Sequence, residues 1–185
     1  MKETEKKILP DIAKKAILEE FTGESLIDKE ELLKKYPWLA KKGAVFVTLN
    51  KNHALRGCIG SIIAHRPLID DLIANAKAAA FSDPRFNPLK ESELGDIEVE
   101  VSLLSEPQPL PYTDIEDLRN KIRPGIDGVI LQLDGYQATF LPQVWEDLRS
   151  FDDFFAHLCV KAGMSPDCLK YHPNIFVYQA EKIEE

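Results

Sequence analysis

Two stretches of this chain read alike. A pair of apolar strands beginning at residue 43 and another beginning at 127 are each followed by an amphipathic helix, at 68 and 152, and then by a closing strand, at 97 and 175. The hairpins and the helices are both offset by 84 residues and the closing strands by 78. Few folds satisfy such a pattern, because strands joined by a tight turn pair antiparallel and the next helix must cover their apolar face. It predicts an α+β fold in which a hairpin-helix-strand unit occurs twice, mostly antiparallel, with helices packed on the sheet. The likeness is one of pattern and spacing, not of residue identity, so a chance recurrence of elements is the competing explanation.

In the first copy, "GAVFVTL" and "ALRGCIGSI" flank the turn-forming "NKNH", which makes residues 43 to 62 a hairpin. "RPLIDDLIANAKAAAF" sets Leu68, Ile69, Leu72, Ile73, Ala76 and Ala80 on one helical stripe, and its alanines imply close packing on a sheet. "DIEVEVSLL" alternates Ile97, Val99, Val101 and Leu103 against Glu98, Glu100 and Ser102, the mark of a half-buried strand. In the second copy a hairpin from 127 to about 143 turns at Asp134 and Gly135, "DDFFAHLCVKAGM" is the helix and "NIFVYQAEKI" the last strand. Upstream, Ile8, Leu9, Ile12, Ala13, Ala16, Ile17 and Phe21 mark a helix that either begins near Pro10 or kinks there, and a short helix runs from Asp28 to about Tyr36. The expected organisation is a single domain over 1–185, built of halves at about 1–105 and 112–185 joined by the proline-rich 106–111.

Charge and composition exclude several classes of function. The net charge is −8, and the lysine pairs at 6/7, 14/15, 34/35 and 41/42 are interleaved with glutamates, so nucleic-acid binding is not expected. "MKETEKKILP" is no signal peptide, and no apolar run approaches the roughly 20 residues of a membrane span, which predicts a cytoplasmic protein with no membrane contact. Cys58, Cys159 and Cys168 are odd in number and include no C-x-x-C pair, so reduced thiols are expected, with neither a disulfide framework nor a zinc site. No Walker loop, G-x-G-x-x-G, H-E-x-x-H or G-x-S-x-G occurs, and no cofactor or metal is indicated.

The segment "LRGCIG" concentrates the chemistry. On an extended strand Arg56, Cys58 and Gly60 share a face, where Arg56 would favour the thiolate and Gly60 would leave the space beside it open; Gly57, on the other face, suits a bulge or close packing. The alternative is a free cysteine serving as a small hydrophobe in a core strand. Asp153, His157 and Lys161 recur at i, i+4 and i+8, which makes either a solvated stripe or a base with its orienting carboxylate. His53, His65 and His172 fall in turns and loops and read as surface residues. Arg85 in "DPRF" either clamps an anionic group or pairs with Asp83, and Glu98 and Glu100 either line a solvent face or form an acid-base pair.

"LRGCIG", "DPRF", "EVSLL", "FLPQVWE" and "FFAHLCVKAGM", in that order and spanning about residues 5 to 182, resemble the AMMECR domain family. "LPQVWE" and "KAGM" are similar to its prokaryotic branch, protein A of the AmmeMemoRadiSam system. The resemblance implies an internally duplicated α+β fold and a cleft near the signature, which would centre on Arg56, Gly57, Cys58 and Gly60. It extends the candidates to Arg85, Glu100, Ser102, Gln143, His157 and Lys161. It implies partners as well, a Memo-like protein and a radical SAM protein. "FSDPRFNPL" departs from the family's usual "SRDPRFPPL" at Phe81, Ser82 and Asn87, and so lacks the arginine that usually precedes the aspartate of this loop. Two functions are expected on this basis. One is an enzyme or enzyme component in which Cys58, activated by Arg56 and served by His157, handles a small anionic substrate. The other is a non-catalytic interaction or regulatory module in which Cys58 is structural.

Overall fold

The computed structural model describes residues 1–185. The chain forms two compact units, residues 1–104 with 181–185, and residues 105–180. The first contains α1 (Ile8–Thr22), α2 (Lys29–Lys35), β1 (Ala44–Lys51), β2 (Ala54–Gly60), α3 (Leu68–Phe81) and β3 (Ile97–Leu104). The second contains β4 (Gln108–Pro109), α4 (Ile115–Lys121), β5 (Gly128–Leu133), β6 (Tyr136–Phe140), α5 (Phe151–Lys161) and β7 (Asn174–Tyr178). The last strand, β8 (Ala180–Glu184), joins the first sheet. "NIFVYQAEKI", read from sequence as one strand, is therefore two strands in different sheets.

The repeat appears in the strand order. The first sheet is ordered β2-β1-β3-β8 and the second, taken from its hairpin, β6-β5-β7-β4. In both, the closing strand pairs antiparallel with the first strand of the hairpin, on the side away from the second. Both hairpins turn on two residues with positive φ, Asn52 and His53 in one and Asp134 and Gly135 in the other, the geometry that matches the right-handed twist of the strands.

Alternation puts Val45, Val47 and Leu49 of β1 and Val99 and Val101 of β3 on one face. They pack with Leu9, Ile12 and Ala16 of α1 and Leu72, Ala76 and Ala79 of α3. Pro10 is the third residue of α1, inside the first turn where a missing N–H costs no helical hydrogen bond. Two polar residues interrupt the apolar stripe of α3. Asp71, fully buried, accepts the Val45 N–H at 2.9 Å, the Ser61 hydroxyl at 2.7 Å and Arg66 Nε at 2.8 Å, while the Asn75 amide donates to the Val45 carbonyl at 3.0 Å. At Val45, whose carbonyl also accepts the Ser61 N–H at 3.1 Å, they complete the end of the β1–β2 pairing and so fasten α3 to the sheet.

In the second unit the core gathers Val129, Leu131, Phe154, Phe155 and Leu158 around Trp145, whose ring stacks on Phe154 at 3.7 Å while its Nε1 donates to the Asp127 carbonyl at 2.8 Å. Helix α4 has no counterpart in the sequence reading. Its cue was Asp114, whose carboxylate caps the Asp117 N–H, a polar residue set three before another at a helix start.

The cysteine expectation is corrected. Cys159 near the end of α5 and Cys168 in the turn beyond it are joined by a disulfide, both fully buried. The reversal of chain direction through Gly163, at φ 92°, brings their Cα atoms to 5.7 Å across nine positions. Cys58 is the free thiol. A thiol titration of the denatured chain is expected to count one group without reductant and three with it. Reduction should lower stability by about 2–3 kcal/mol, the loop-closure contribution of so short a ring, read as a lower denaturant midpoint.

Candidate functional site

β2 is an edge strand, so every second peptide along it faces away from β1 with no ladder partner. At Cys58 that peptide is held by the loop after α3. The Cys58 N–H donates to Asp83 Oδ2 at 3.0 Å, and its carbonyl accepts from Arg85 Nη2 at 3.3 Å. Arg85 is itself bound to Asp83 through Nε at 3.1 Å and Nη2 at 2.8 Å. Asp83 is only 4% exposed, and the Arg85 guanidinium, followed by the Cys58 and Arg85 amides, holds its carboxyl far below the usual carboxylate range. Of the two readings of Arg85, the ion pair with Asp83 is present; the Arg85 side chain is still 55% exposed.

The glycines around the thiol serve packing. A Cβ on Gly57 would lie 2.1 Å from the Ala79 carbonyl oxygen, so α3 reaches β2 only because no side chain is there. A Cβ on Gly60 would lie 2.2 Å from the Phe46 ring, its cross-strand neighbour. The space that the sequence reading left open beside Cys58 at Gly60 is thus filled by Phe46. Aromatic cover of a strand glycine restores the apolar contact that the glycine gives up.

Arg56 also departs from expectation. The ladder pairs Leu49 with Gly57 and Asn50 with Leu55, so Arg56 is the extra residue of a β-bulge and leaves the simple alternation. Its guanidinium turns to Glu93, with Nε at 3.0 Å from Oε1 and Nη2 at 3.1 Å from Oε2, and Nη2 also donates to the Asn87 carbonyl at 2.8 Å. Committed to Glu93, it does not activate the thiol. Burial pushes the Cys58 thiol above its ordinary value, and Asp83 and Glu100 add to that; the Thr48 hydrogen bond and the charge of Arg85 act the other way without prevailing. The resting side chain is a thiol, not a thiolate.

The face away from the helices carries a polar row. Cys58 pairs with Thr48 and Thr48 with Glu100, and the thiol and the hydroxyl share a hydrogen bond, Sγ to Oγ1 3.3 Å. Lys182 of β8 lies 3.8 Å from Glu100 Oε2, which extends the row over all four strands. One step along, Gly60, Phe46 and Ser102 form the neighbouring row. Thr48 and Glu93 were not among the sequence candidates, and Asp83 was named only as the alternative partner of Arg85. No group of three or more His, Cys, Asp or Glu side chains is placed to hold a metal ion.

Gln143, His157 and Lys161 belong to the second unit. Gln143 is exposed on a short 3-10 turn. Nδ1 of His157 donates to the Asp153 backbone carbonyl at 2.8 Å, so the main chain, not the expected carboxylate, orients the ring. Lys161 Nζ donates to the Thr139 carbonyl at 2.8 Å and lies 5.1 Å from the Phe140 ring centre; desolvation draws its ammonium below the ordinary value.

Two outcomes are expected. Gly57→Ala should destabilise by about 1–3 kcal/mol or more, since the contact is with backbone that cannot step aside, measured by chemical denaturation. Glu93, drawn down to about 2 by Arg56 and then by the Lys90 amide and Lys51, has a folded pKa below its ordinary 4.5. The stability it contributes is therefore complete above about pH 4.5 and is lost as pH falls toward 2. Glu93→Gln should flatten the stability profile in that window.

The AMMECR1 family profile matches residues 10–183. A protein of Saccharolobus solfataricus, SSO0193, is 43% identical over 173 residues, which cover 88% of this chain and 73% of that one. A protein of Methanothermobacter thermautotrophicus is 44% identical over 140 residues, or 75% of this chain and 72% of its own. The crystal structure of an uncharacterised protein from Pyrococcus horikoshii, PH0010, superposes with a TM-score of 0.86 at 35% identity, covering 100% of this chain and 93% of that one. With the signature strand, the duplicated topology and these relatives in agreement, the chain belongs to the AMMECR1 family.

Proposed function

We propose that the protein handles a small anionic substrate on the open face of its first sheet, around a protonated Cys58, as one component of a modification pathway shared with Memo-like and radical SAM proteins. The row Cys58–Thr48–Glu100 carries this reading. On the opposite face the same strands bury Val47, Leu49, Val99 and Val101, whereas here a thiol, a hydroxyl and a carboxylate stand side by side. A cysteine that only filled space would need neither the hydroxyl beside it nor a buried carboxylate with its arginine gripping its peptide. Arg85, more than half exposed, uses Nε and Nη2 on Asp83 and the Cys58 carbonyl and has Nη1 to offer an anion, and the thiol supplies a weak hydrogen-bond donor. An anion bound nearby further disfavours the thiolate, which agrees with a thiol that binds while protonated.

The test is the pH dependence of alkylation in the folded, unreduced chain, where Cys58 is the thiol available. Modification should be slow at neutral pH, with an apparent pKa above that of a free cysteine. Because the folded pKa is raised, the associated stability is present at low and neutral pH and declines as pH rises through the folded value; Cys58→Ser should remove that decline. A depressed pKa would restore a resting nucleophile in place of this reading. Complete protection until unfolding would make Cys58 a packing residue and favour a docking module.

A further inference from the structure

Each sheet ends in two edge strands, and the chain guards three of the four. The Cys58 peptide of β2 is held by Asp83 and Arg85. β4 is two residues long, and Pro109 and Pro111 have no N–H to offer there. β8 carries Glu181, Lys182 and Glu184, and the Glu184 carbonyl accepts from Lys7 Nζ at 3.0 Å. β6, "YQATF", has neither charge, proline nor bulge. Its turn at Asp134 and Gly135 makes Leu133 and Tyr136 a bonded pair, and every second pair after it, so the main-chain groups of Gln137 and Thr139 point away from β5. Of those groups the Thr139 carbonyl alone has a partner in the chain, Lys161 Nζ at 2.8 Å.

The first copy shows how such an edge is completed. One step from the inward-facing pairs of Val47 and Val129, Cys58 and Thr139 occupy equivalent places in the two hairpins. At Cys58 a cation meets the carbonyl, and the carboxylate paired with that cation accepts the N–H. At Thr139 the cation comes alone: desolvation acts on the Lys161 ammonium and no carboxylate opposes it. We propose that β6 docks an extended segment of another protein, which pairs with Gln137 and Thr139 and brings an acidic residue to Lys161. Main-chain donors and acceptors in line are what an added strand satisfies. The second lone pair of the Thr139 carbonyl lets it accept from that strand while it keeps Lys161. Tyr136, whose ring lies against Gly163, and Val160 are more than half exposed and offer apolar contact to the segment's side chains. A second copy is disfavoured, because pairing β6 with β6 would set two Lys161 ammoniums beside one short ladder. All of these residues belong to the second unit, so the edge does not depend on the role of Cys58.

The probe is a blocked peptide of about seven residues, alternating threonine and valine with a glutamate at its centre, titrated into the full chain and followed by amide NMR shifts. The Gln137 and Thr139 amide signals should move, with a Kd at or below about 1 mM. A central lysine should weaken binding about fivefold or more. Methylating all of the peptide's backbone nitrogens should abolish it, since that removes the donors a ladder needs. Gln137→Pro deletes an N–H that no ladder of the chain uses and should also abolish binding. Lys161→Glu should reverse the preference between glutamate and lysine, and is the readout if the proline variant does not fold. Unmoved Gln137 and Thr139 signals at about 5 mM peptide would overturn the proposal. Equal binding of the methylated peptide would do so too, as would an unchanged preference in Lys161→Glu. Shifts of the same amides with protein concentration alone would replace it with pairing between copies of this chain.

Discussion

Gly57 holds a hydrogen where any other residue would set a carbon 2.1 Å from the Ala79 carbonyl oxygen. That approach fixes the end of α3 against the edge strand, and the loop leaving the helix inherits the position. Two residues after the helix ends at Phe81, Asp83 meets the Cys58 N–H, and Arg85 then returns to the Cys58 carbonyl. The Leu89 N–H closes the loop on the Ala80 carbonyl at 2.8 Å. The loop thus does what a further strand would do for an exposed edge, with side chains in place of a ladder.

Two arginines lie near the thiol and neither gives it an unshared charge. Arg56 is matched by Glu93 and Arg85 by Asp83, and Glu100 adds a carboxylate one strand beyond Thr48. With the cations largely compensated, burial decides the protonation of Cys58. A basic residue two positions away in sequence thus says little about the field at a sulfur until its counter-charge is located, and here that counter-charge comes from a turn 37 residues downstream.

The architecture was legible because period-2 and period-3.6 patterns alternate twice and the turns carry residues suited to positive φ. The site was less so, for a reason that can be traced. From the two-residue turn at Asn52 and His53, simple counting pairs Thr48 with Gly57; the bulge at Arg56 shifts the register by one and sets Thr48 opposite Cys58. A single inserted residue therefore hid the thiol-hydroxyl contact and redirected the arginine. Asp71 and Asn75 were masked in another way, as polar residues on a helix whose buried partners are main-chain groups at the end of a strand. The disulfide was missed because its cysteines stand nine positions apart and no local motif announces a turn of that shape.

Strand order holds one more consequence. β3 and β8 are neighbours in the first sheet, yet all of residues 105–179 lies between them in the chain. The second unit is, in connectivity, an insertion within a strand-to-strand connection. During synthesis the first sheet can assemble three strands early, but β3 keeps an open edge until residues 180–184 have been made. Closing that edge depends on a contact of long sequence separation, which is slow to form. Folding of the second unit, by drawing its own two ends together, shortens the search for the first.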